Sequence, residues 1–556
     1  MTIDVTSLYD RRADNRWDRI CVADLVERVT WSTPDKEAVV GWEGAYGDPL
    51  YARLTYAALD ALANRVANGL LERGLRRGDR AVMVVENSVE AYAFALGASK
   101  VGVVVAPLNP ALAVDVVEHL LRRLAPSFAV VDAELWPRVA PAFALVGLAP
   151  TVTIEIGGDV IEGTASFTEF AESPSSVEPE ATIHGDDIWE ILFTSGTTAM
   201  PKGVMLSHTS STMSAHGFAL TLTRGTHPET ELRLVSFLPT IYHIGHAIFG
   251  LSVHATGGTL ILGRKPSGAA IADAVARERA TALWAGSPIM VAGLLAEVEA
   301  TPRDLSTLSV LVYGWAEVSP AVYDGLRRHA PDLHMVEIFG QTEAIACHRF
   351  WPDQHEQLFR ATAPQLNVVG LPSPLLAARI VDAFGEPLVG QLGVPGEAVY
   401  RTPTLTAGYY LDEEATRAAF EGGWFHSGDS CADDASGQRV MVDRFKDIVK
   451  SGGENVSTIR VESVLTLHPG VAKAAVIGLA DERWGERVTA IVIAKEAGSV
   501  TPDELIAFAR ERLAGYETPK QVILVDALPE TVGGKVLKYK LRQQYAALAA
   551  AATAPS

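Results

Sequence analysis

A long alternation of strand and helix patterns, from about residue 54 to residue 339, limits the fold of this chain more than any other feature. Segment 54–73 carries apolar residues at helical spacing and ends at Gly74, and a short apolar strand pattern follows at 81–85. The same alternation repeats up to a strand pattern at 333–339. Strands that alternate with helices build parallel sheets with helices on both faces. The sequence therefore predicts layered α/β subdomains.

The pattern changes beyond about Gly370, where short valine-rich strands are separated by glycine turns, and this predicts a β-rich subdomain. After segment 443–447 a further unit begins, in which helix and strand patterns together indicate a small α+β fold. We therefore predict two domains. The large N-terminal domain covers 1–443, with layered α/β subdomains and a β-rich subdomain, and the small C-terminal α+β domain covers 444–556.

Composition narrows the classes of function. At 556 residues the chain is too long for one hydrophobic core, and its formal net charge of −20 disfavours binding to nucleic acid or to anionic membranes. The most apolar stretch, 91–108, is interrupted by Lys100 and predicts a buried helix and strand rather than a membrane span. Cys21, Cys347 and Cys431 match no disulfide or zinc spacing. We expect a cytoplasmic protein without stable membrane insertion, and the sequence leaves a homodimer open.

The segment Phe193–Gly203 lies between two strand patterns and gathers hydroxylic residues and glycines around one lysine. Backbone N–H groups, hydroxyls and an ammonium group can together wrap an anion such as a polyphosphate. The common phosphate loop has Ser or Thr after its lysine and a helix behind it, whereas Lys202 follows a proline. A surface hairpin would have the same composition. The candidate ligands are Thr194, Ser195, Gly196, Thr197, Thr198 and Lys202.

Further motifs stand at predicted loop positions along the chain, at 313–320, 337–343, 423–429, 443–447, 450–455 and 533–536. Each one alone is a weak signal. In this order and spacing, together with 193–203, they resemble the AMP-forming acyl-CoA synthetases of the adenylate-forming superfamily, which also holds luciferases and the adenylation domains of peptide synthetases. The resemblance runs from about Leu25 to Arg542.

The resemblance implies a two-step reaction that uses ATP, Mg²⁺ and CoA. A carboxylate attacks the α-phosphate of ATP to give acyl-AMP and pyrophosphate, and the thiol of CoA then displaces AMP. Because the carboxylate and the triphosphate repel each other, the first step depends on positive charge and positioning. By resemblance, segment 194–202 holds the β- and γ-phosphates, Thr342 and Glu343 hold the α-phosphate and Mg²⁺, and Thr198 is a second metal ligand.

The resemblance also implies where the nucleoside binds. Phe339 is expected to stack on adenine, and Asp429, assisted by Arg444, to accept hydrogen bonds from the ribose hydroxyls. Without the resemblance, Phe339 would be read as a core residue and Asp429 with Arg444 as a surface ion pair. The expected nucleotide-binding residues in these motifs are Gly314, Trp315, Ala316, Phe339, Gly340, Gln341, Asp429 and Arg444.

The C-terminal domain resembles the mobile lid of the family. Lys535 matches the catalytic lysine that bridges the carboxylate and the α-phosphate as charge develops, although a lysine after two glycines is by itself typical of a surface turn. Lys446 lies at the hinge position, where rotation would withdraw Lys535 and bring a CoA-binding segment over the site. That segment is expected to contain Lys450, Ser451, Gly452 and Gly453.

The acyl pocket is expected beside His243 and Trp315, with mostly apolar walls at 243–249, 286–290 and 313–315. His243 either borders the acyl tunnel, contacts the substrate carboxylate or is a core histidine. Apolar walls favour a fatty, aromatic or polycyclic carboxylic acid over an amino acid.

Three residues depart from the pattern of the family: Ala199 replaces a glycine of the phosphate loop, Trp315 stands where a second small glycine is usual, and Arg460 replaces a glutamate of the lid. Trp315 either reshapes the pocket for an unusual acid or impairs adenylation, which would leave an enzyme that forms the thioester from a supplied acyl-AMP. The sequence is also compatible with a ligase that loads an acyl-carrier protein, a luciferase-like monooxygenase or a nucleotide-binding sensor. The leading prediction is an ATP-dependent acyl-CoA synthetase.

Overall fold

The computed structural model describes residues 19–172, 174–194, 200–223, 231–239, 244–451, 454–481, 483–496, 498–530 and 536–552. Its α-helices are α1 (Asp24–Thr30), α2 (Tyr56–Glu72), α3 (Val89–Lys100), α4 (Val114–Leu124), α5 (Trp136–Val146), α6 (Phe167–Glu172), α7 (His208–Thr223), α8 (Leu251–Thr256), α9 (Gly268–Arg277), α10 (Pro288–Ala300), α11 (Pro320–His329), α12 (Glu356–Thr362), α13 (Glu413–Ala419), α14 (Thr458–Thr466), α15 (Pro502–Arg510) and α16 (Lys538–Ala552). A π-helical turn, Ile244–Gly250, directly precedes α8.

The strands are β1 (Glu37–Gly41), β2 (Arg53–Thr55), β3 (Arg80–Val84), β4 (Val104–Pro107), β5 (Phe128–Asp132), β6 (Val152–Ile154), β7 (Ala165–Ser166), β8 (Ile188–Thr194), β9 (Lys202–Ser207), β10 (Arg233–Ser236), β11 (Thr259–Leu262), β12 (Ala282–Gly286), β13 (Val310–Gly314), β14 (His334–Gln341), β15 (Ile345–Phe350), β16 (Asn367–Pro372), β17 (Ala377–Val381), β18 (Gly396–Arg401), β19 (Gly408–Tyr409), β20 (Phe425–Asp433), β21 (Arg439–Arg444), β22 (Val449–Ser451), β23 (Glu454–Val456), β24 (Val471–Asp481), β25 (Gly485–Ala494) and β26 (Gln521–Leu524).

The predicted alternation of helices and strands is confirmed, but its strands are divided between two mixed sheets. One sheet has the order β19-β9-β8-β4-β3-β5-β6-β7. Its strands run parallel from β8 to β7, and β9 and β19 add an antiparallel edge. Which strands pair is decided by long-range packing, which the local pattern does not contain.

The second sheet has the order β17-β18-β20-β21-β16-β15-β14-β13-β12-β10-β11-β1-β2. The strands from β1 to β14 in this order run parallel, and those from β15 to β17 run antiparallel and form the predicted β-rich part. Because β13 and β14 are parallel neighbours, with Gly314 opposite Ile338, the motifs that follow them meet at one edge of the sheet.

Helices α2 and α3 link the two sheets. One hydrophobic cluster contains Leu59 of α2 and Phe94 of α3 together with Val130 of the first sheet and Leu260 of the second. Every residue of α3 is buried. Its first turn is fixed by Ser88, whose side chain accepts a hydrogen bond from the backbone N–H of Ala91. A helix buried on all sides suits a layer that lies between two sheets.

The C-terminal part has its own sheet, with the order β23-β22-β25-β24 and β26 beside β25. Its strands share a separate apolar cluster with α14 and α15. The chain changes sheet between Arg444, which ends β21, and Val449, which begins β22. The predicted division at 443/444 falls at this change, and as a domain boundary it stays a prediction. No helix in the described part of the chain is long and apolar enough to cross a bilayer.

Candidate active site

The candidate phosphate loop lies at the tip of an antiparallel hairpin formed by β8 and β9. Thr194 and Lys202 are opposite each other in the ladder, and the hydroxyl of Thr194 donates to the carbonyl of Lys202 at 3.5 Å. The two interpretations of this segment, hairpin and anion loop, are therefore compatible. The loop residues Ser195, Gly196, Thr197, Thr198 and Ala199 lie outside the described residues.

Tyr409 joins the base of this hairpin to Glu343. The ammonium group of Lys202 lies 4.7 Å from the centre of the Tyr409 ring, and the Tyr409 hydroxyl donates to Oε1 of Glu343 at 2.9 Å. The backbone N–H of Thr406 donates to the carbonyl of Glu343 at 2.7 Å. Burial, followed by the charge of Glu343, raises the pKa of Tyr409, so the phenol keeps its proton and remains a donor. The sequence pattern does not reveal this role, because it indicates only a strand at Gly408 and Tyr409.

Glu343 suits a hard cation such as Mg²⁺. Tyr409 holds Oε1, and Oε2 has no hydrogen-bond partner within the described residues. No group of three or more His, Cys, Asp or Glu side chains in the described ranges could hold a metal by itself. This arrangement fits Mg²⁺, which usually takes one or two protein carboxylates and completes its shell with phosphates and water. Thr342 directly precedes Glu343 in the turn after β14.

A second group of predicted residues meets at the end of β14. Asp429, on β20, and Arg444, on β21, are opposite each other, and Arg444 Nε lies 3.1 Å from Asp429 Oδ1. Gln341 Nε2 donates to Asp429 Oδ2 at 3.5 Å. The Asp429 side chain is 1% exposed, so this pair is not a surface ion pair. Phe339 lies two residues before Gln341 on β14, with its ring centre 6.2 Å from that of His348.

Trp315 follows β13 in a strained conformation. Its φ is 70°, in the left-handed region that disfavours a residue with a Cβ. A Cβ on the preceding Gly314 would lie 2.8 Å from the carbonyl oxygen of Ile338, so only glycine fits there. The Trp315 indole is 40% exposed. With Ala316, these residues line the edge where β13 and β14 end.

The indole of Trp315 is the outer member of a row of aromatic rings. Its centre lies 5.7 Å from that of Trp284, which lies 4.7 Å from Phe249, which lies 5.2 Å from Phe218. We call these four residues the aromatic row. His243, the other predicted acyl-pocket residue, lies outside the described residues.

Two buried carboxyl groups that no sequence motif predicted as site residues lie below this edge. The Tyr313 hydroxyl donates to Glu317 Oε1, and the backbone N–H of Val318 donates to the same oxygen at 3.0 Å. Burial raises the pKa of Glu317 to about 8. Burial, with the charge of Glu317, raises the pKa of the fully buried Glu337 well above its usual range. Burial therefore favours the protonated form of both groups.

The predicted hinge lies where the chain changes sheet. Burial, with the nearby charge of Arg444, lowers the pKa of Lys446. Asp443 holds the start of α14, since Oδ2 accepts from the backbone N–H of Thr458 at 2.5 Å and from its hydroxyl at 2.7 Å. Arg460, a departure from the family pattern, donates through Nε to Glu517 at 2.9 Å and so has a structural partner.

Two of the predicted CoA-binding residues lie in the sheet of the C-terminal part. Lys450 and Ser451 lie on β22, and the backbone N–H of Lys450 donates to Glu486 at 2.7 Å. Gly452, Gly453 and the predicted catalytic Lys535 lie outside the described residues.

Comparisons with known proteins agree with this architecture. The AMP-binding enzyme family matches residues 26–410, and the AMP-binding enzyme C-terminal domain matches residues 460–535. The chain is 33% identical to a feruloyl-CoA synthase of an Amycolatopsis species, over 88% of this chain and 94% of that protein. It is 31% identical to the long-chain-fatty-acid–CoA ligase FadD13 of Mycobacterium tuberculosis, over 94% and 99%. The crystal structure of ATP-bound MatB from Rhodopseudomonas palustris superposes with a TM-score of 0.80 at 28% identity, over 95% of this chain and 99% of that one.

Proposed function

The chain belongs to the AMP-binding enzyme family as an AMP-forming acid–CoA ligase, and on that premise we propose that it activates an apolar carboxylic acid through an acyl-AMP and transfers the acyl group to CoA. The observation that supports this most is the contact of Tyr409 with both Lys202 and Glu343. It joins a cation at the loop base to a carboxylate suited to Mg²⁺, as a triphosphate requires.

In the adenylation step, one carboxylate oxygen of the acid bonds to the α-phosphorus of ATP, and the bond to the β-phosphate oxygen breaks to release pyrophosphate. Lys202 and the loop hydroxyls bind the β- and γ-phosphates, while Thr342 and Glu343 hold the α-phosphate end. Glu343 would hold Mg²⁺, which when bound would neutralise phosphate charge. The carboxylate of Asp429, held by Arg444, accepts hydrogen bonds from the ribose hydroxyls.

In the thioester step, the CoA thiol loses its proton and its sulfur bonds to the acyl carbon. The bond between the acyl carbon and the phosphate oxygen of AMP breaks, and AMP leaves. We propose that 444–556 is a lid that pivots at Lys446 between the two steps. In one position of the lid Lys535 lies at the site during adenylation. In the other position segment 450–453 binds CoA for the thioester step.

The acid is proposed to be apolar and to carry a ring. Trp315, which is exposed and packs against the buried ring of Trp284, offers an aromatic surface that binds a planar or alicyclic body through stacking and through burial of apolar surface. An amino acid would need a buried carboxylate for its ammonium group. Burial raises the pKa of Glu317 and of Glu337 and so disfavours the charged form that such a partner requires.

ATP–pyrophosphate exchange tests the first step, with fatty, aromatic and polycyclic acids, beside CoA transfer from each synthetic acyl-AMP. We expect both activities. Lys535→Ala should abolish exchange and keep transfer, and Lys540→Ala, an exposed lysine of α16, is the matched control. Transfer without exchange would instead show an enzyme limited to the thioester step. Transfer only to a phosphopantetheinyl protein would show a carrier-protein ligase, and nucleotide binding without turnover would show a sensor.

A further inference from the structure

A cleft lies beside the candidate active site, between α7, β15 and the loop after β16. It holds about 390 Å³ of empty space including the part open to solvent. Its lining combines apolar side chains with serine and threonine hydroxyls, and among the described residues its one charged group is the guanidinium of Arg349. The residues that matter for the argument are Phe218, Thr221, Ile345, Arg349 and Leu375.

Arg349 is half-buried, and it differs from two other arginines of the described chain that lie away from solvent. Arg264 lies 2.7 Å from the carboxylate of Asp132, and Arg19 lies 3.0 Å from that of Glu178. Arg349, in contrast, forms no ion pair with any carboxylate of the described residues, and its one hydrogen bond runs from Nη1 to the hydroxyl of Thr221. Burial without a countercharge lowers the pKa of Arg349 to about 10, so it is still a cation at pH 7.

Within the described residues, the other N–H donors of Arg349 have no hydrogen-bond acceptor. A guanidinium has five N–H donors in a planar fork, which matches the two oxygens of a carboxylate. Partial burial without a countercharge disfavours the cation, so an anion that completes the fork is favoured. The structure thus provides a candidate anion subsite in a cleft whose lining combines apolar side chains with serine and threonine hydroxyls.

The cleft adjoins the residues that hold the reacting end of the acid. Ala344 and Ile345, which line it, directly follow Glu343, and Phe218 belongs both to the cleft and to the aromatic row. Ile345 has a φ of 66°, a strained value for a β-branched residue, and such strain is concentrated at ligand sites. An acid whose reacting end lies beside Glu343 therefore has the cleft next to it, past Ala344 and Ile345.

We propose that Arg349 binds a second carboxylate at the far end of the acid, so that the substrate is a dicarboxylic acid with an apolar, ring-containing body. This inference rests on the proposed function. One carboxylate is adenylated, and the other forms a bidentate ion pair with Arg349 without reacting. Thr221 orients the guanidinium and acts as a positioning residue.

Matched pairs of acids test the proposal: a ring-containing diacid and its far-end monomethyl ester, assayed by ATP–pyrophosphate exchange without CoA. We expect the wild type to prefer the diacid in kcat/KM by about 30-fold to 100-fold, the range for a bidentate charged pair. Arg349→Met should raise the KM of the diacid by that factor and leave the ester unchanged. Arg349→Lys should restore part of the preference, and Thr221→Val should reduce it less than Arg349→Met.

Controls separate the failure of this inference from the failure of the proposed function. Arg417→Met, an exposed arginine of α13, should behave as wild type, and the far-ultraviolet circular dichroism and ATP affinity of Arg349→Met should be unchanged. No exchange with any acid would refute the proposed function. Exchange with equal use of diacid and ester would refute the role of Arg349 alone. An increase in the KM of CoA in Arg349→Met, with the acid preference retained, would assign the subsite to a CoA phosphate and overturn the proposal.

Discussion

The hydroxyl of Tyr409 provides a sharp test of the candidate metal site, because Tyr409→Phe removes one atom and keeps the ring. The wild-type hydroxyl donates to Glu343 Oε1 at 2.9 Å, and the ring lies 4.7 Å from the Lys202 ammonium group. In Tyr409→Phe the contact with Lys202 remains. Glu343 then loses the donor that fixes its orientation, so its Oε2 is less well placed for Mg²⁺.

The size of the effect follows from the type of bond. A hydrogen bond to a charged group contributes about 1.5–3 kcal/mol, and the lower end applies because Tyr409 and Glu343 are only half-buried. About 1.4 kcal/mol corresponds to a factor of ten. We therefore expect the free Mg²⁺ concentration for half-maximal exchange to rise about tenfold in Tyr409→Phe. Tyr409→Leu also loses the cation–π contact, and it should raise the KM of ATP by a further factor of about three.

The assay is ATP–pyrophosphate exchange across a titration of free Mg²⁺ at saturating acid. Tyr410→Phe is the matched control, because the neighbouring hydroxyl forms no hydrogen bond within the described residues and the backbone of Tyr410 stays paired with Gly203. A wild-type Mg²⁺ midpoint in Tyr409→Phe would refute the argument. An equal shift in Tyr410→Phe would also refute it, since the effect would then not run through Glu343.

Three further predictions concern other parts of the site. Because burial raises the pKa of Glu317 to about 8 from 4.5, the folded protein keeps a proton that the unfolded chain releases, so the wild-type free energy of unfolding should fall between about pH 5 and pH 8. In Glu317→Gln the free energy of unfolding, measured by urea titration at each pH, should fall less over this range. An equal fall in the variant and the wild type would contradict the prediction. Trp315→Ala should be less stable than Trp315→Gly by about 1 kcal/mol, because φ is 70° and only Ala keeps a Cβ; the reverse order of denaturation midpoints would disprove the strain. Arg444→Gln should raise the KM of ATP about tenfold by freeing Asp429, and an unchanged KM would remove Arg444 from the nucleotide site.

Individual helices and strands could be predicted because the sequence patterns that indicate them lie within each element. Helix α2, expected at 54–73, spans Tyr56–Glu72. Helix α11 begins at Pro320, directly after Ser319, whose side chain accepts a hydrogen bond from the backbone N–H of Val322. The division of the strands between two sheets could not be predicted in this way. Strand β1, for example, pairs with β11 more than two hundred residues later, and that choice depends on packing across α2 and α3.

Prediction of the candidate site has the same limit, because contacts between residues far apart in sequence leave no local pattern. The motifs, through their resemblance to the family, predicted Glu343, Asp429 and Arg444 as site residues, and these roles stay predictions. The contacts of Tyr409 and Arg349 could not be predicted in this way, because their partners lie far away in sequence: Glu343 for Tyr409, and Thr221 for Arg349. For Arg349, the one local signal was an arginine among the mostly apolar residues of the segment Ile345–Phe350.

The surroundings of Trp315 bear on the choice between a complete ligase and an enzyme limited to thioester formation. The indole packs against Trp284, and Trp284 stacks in turn on Phe249. Trp315 is therefore an extension of an apolar wall, and its left-handed backbone keeps the geometry that a glycine would adopt at the end of β13. We therefore propose that Trp315 changes which acid fits and leaves Glu343 and Asp429 in place. The exchange and transfer assays test this hypothesis of a reshaped acyl pocket against that of a damaged ATP site.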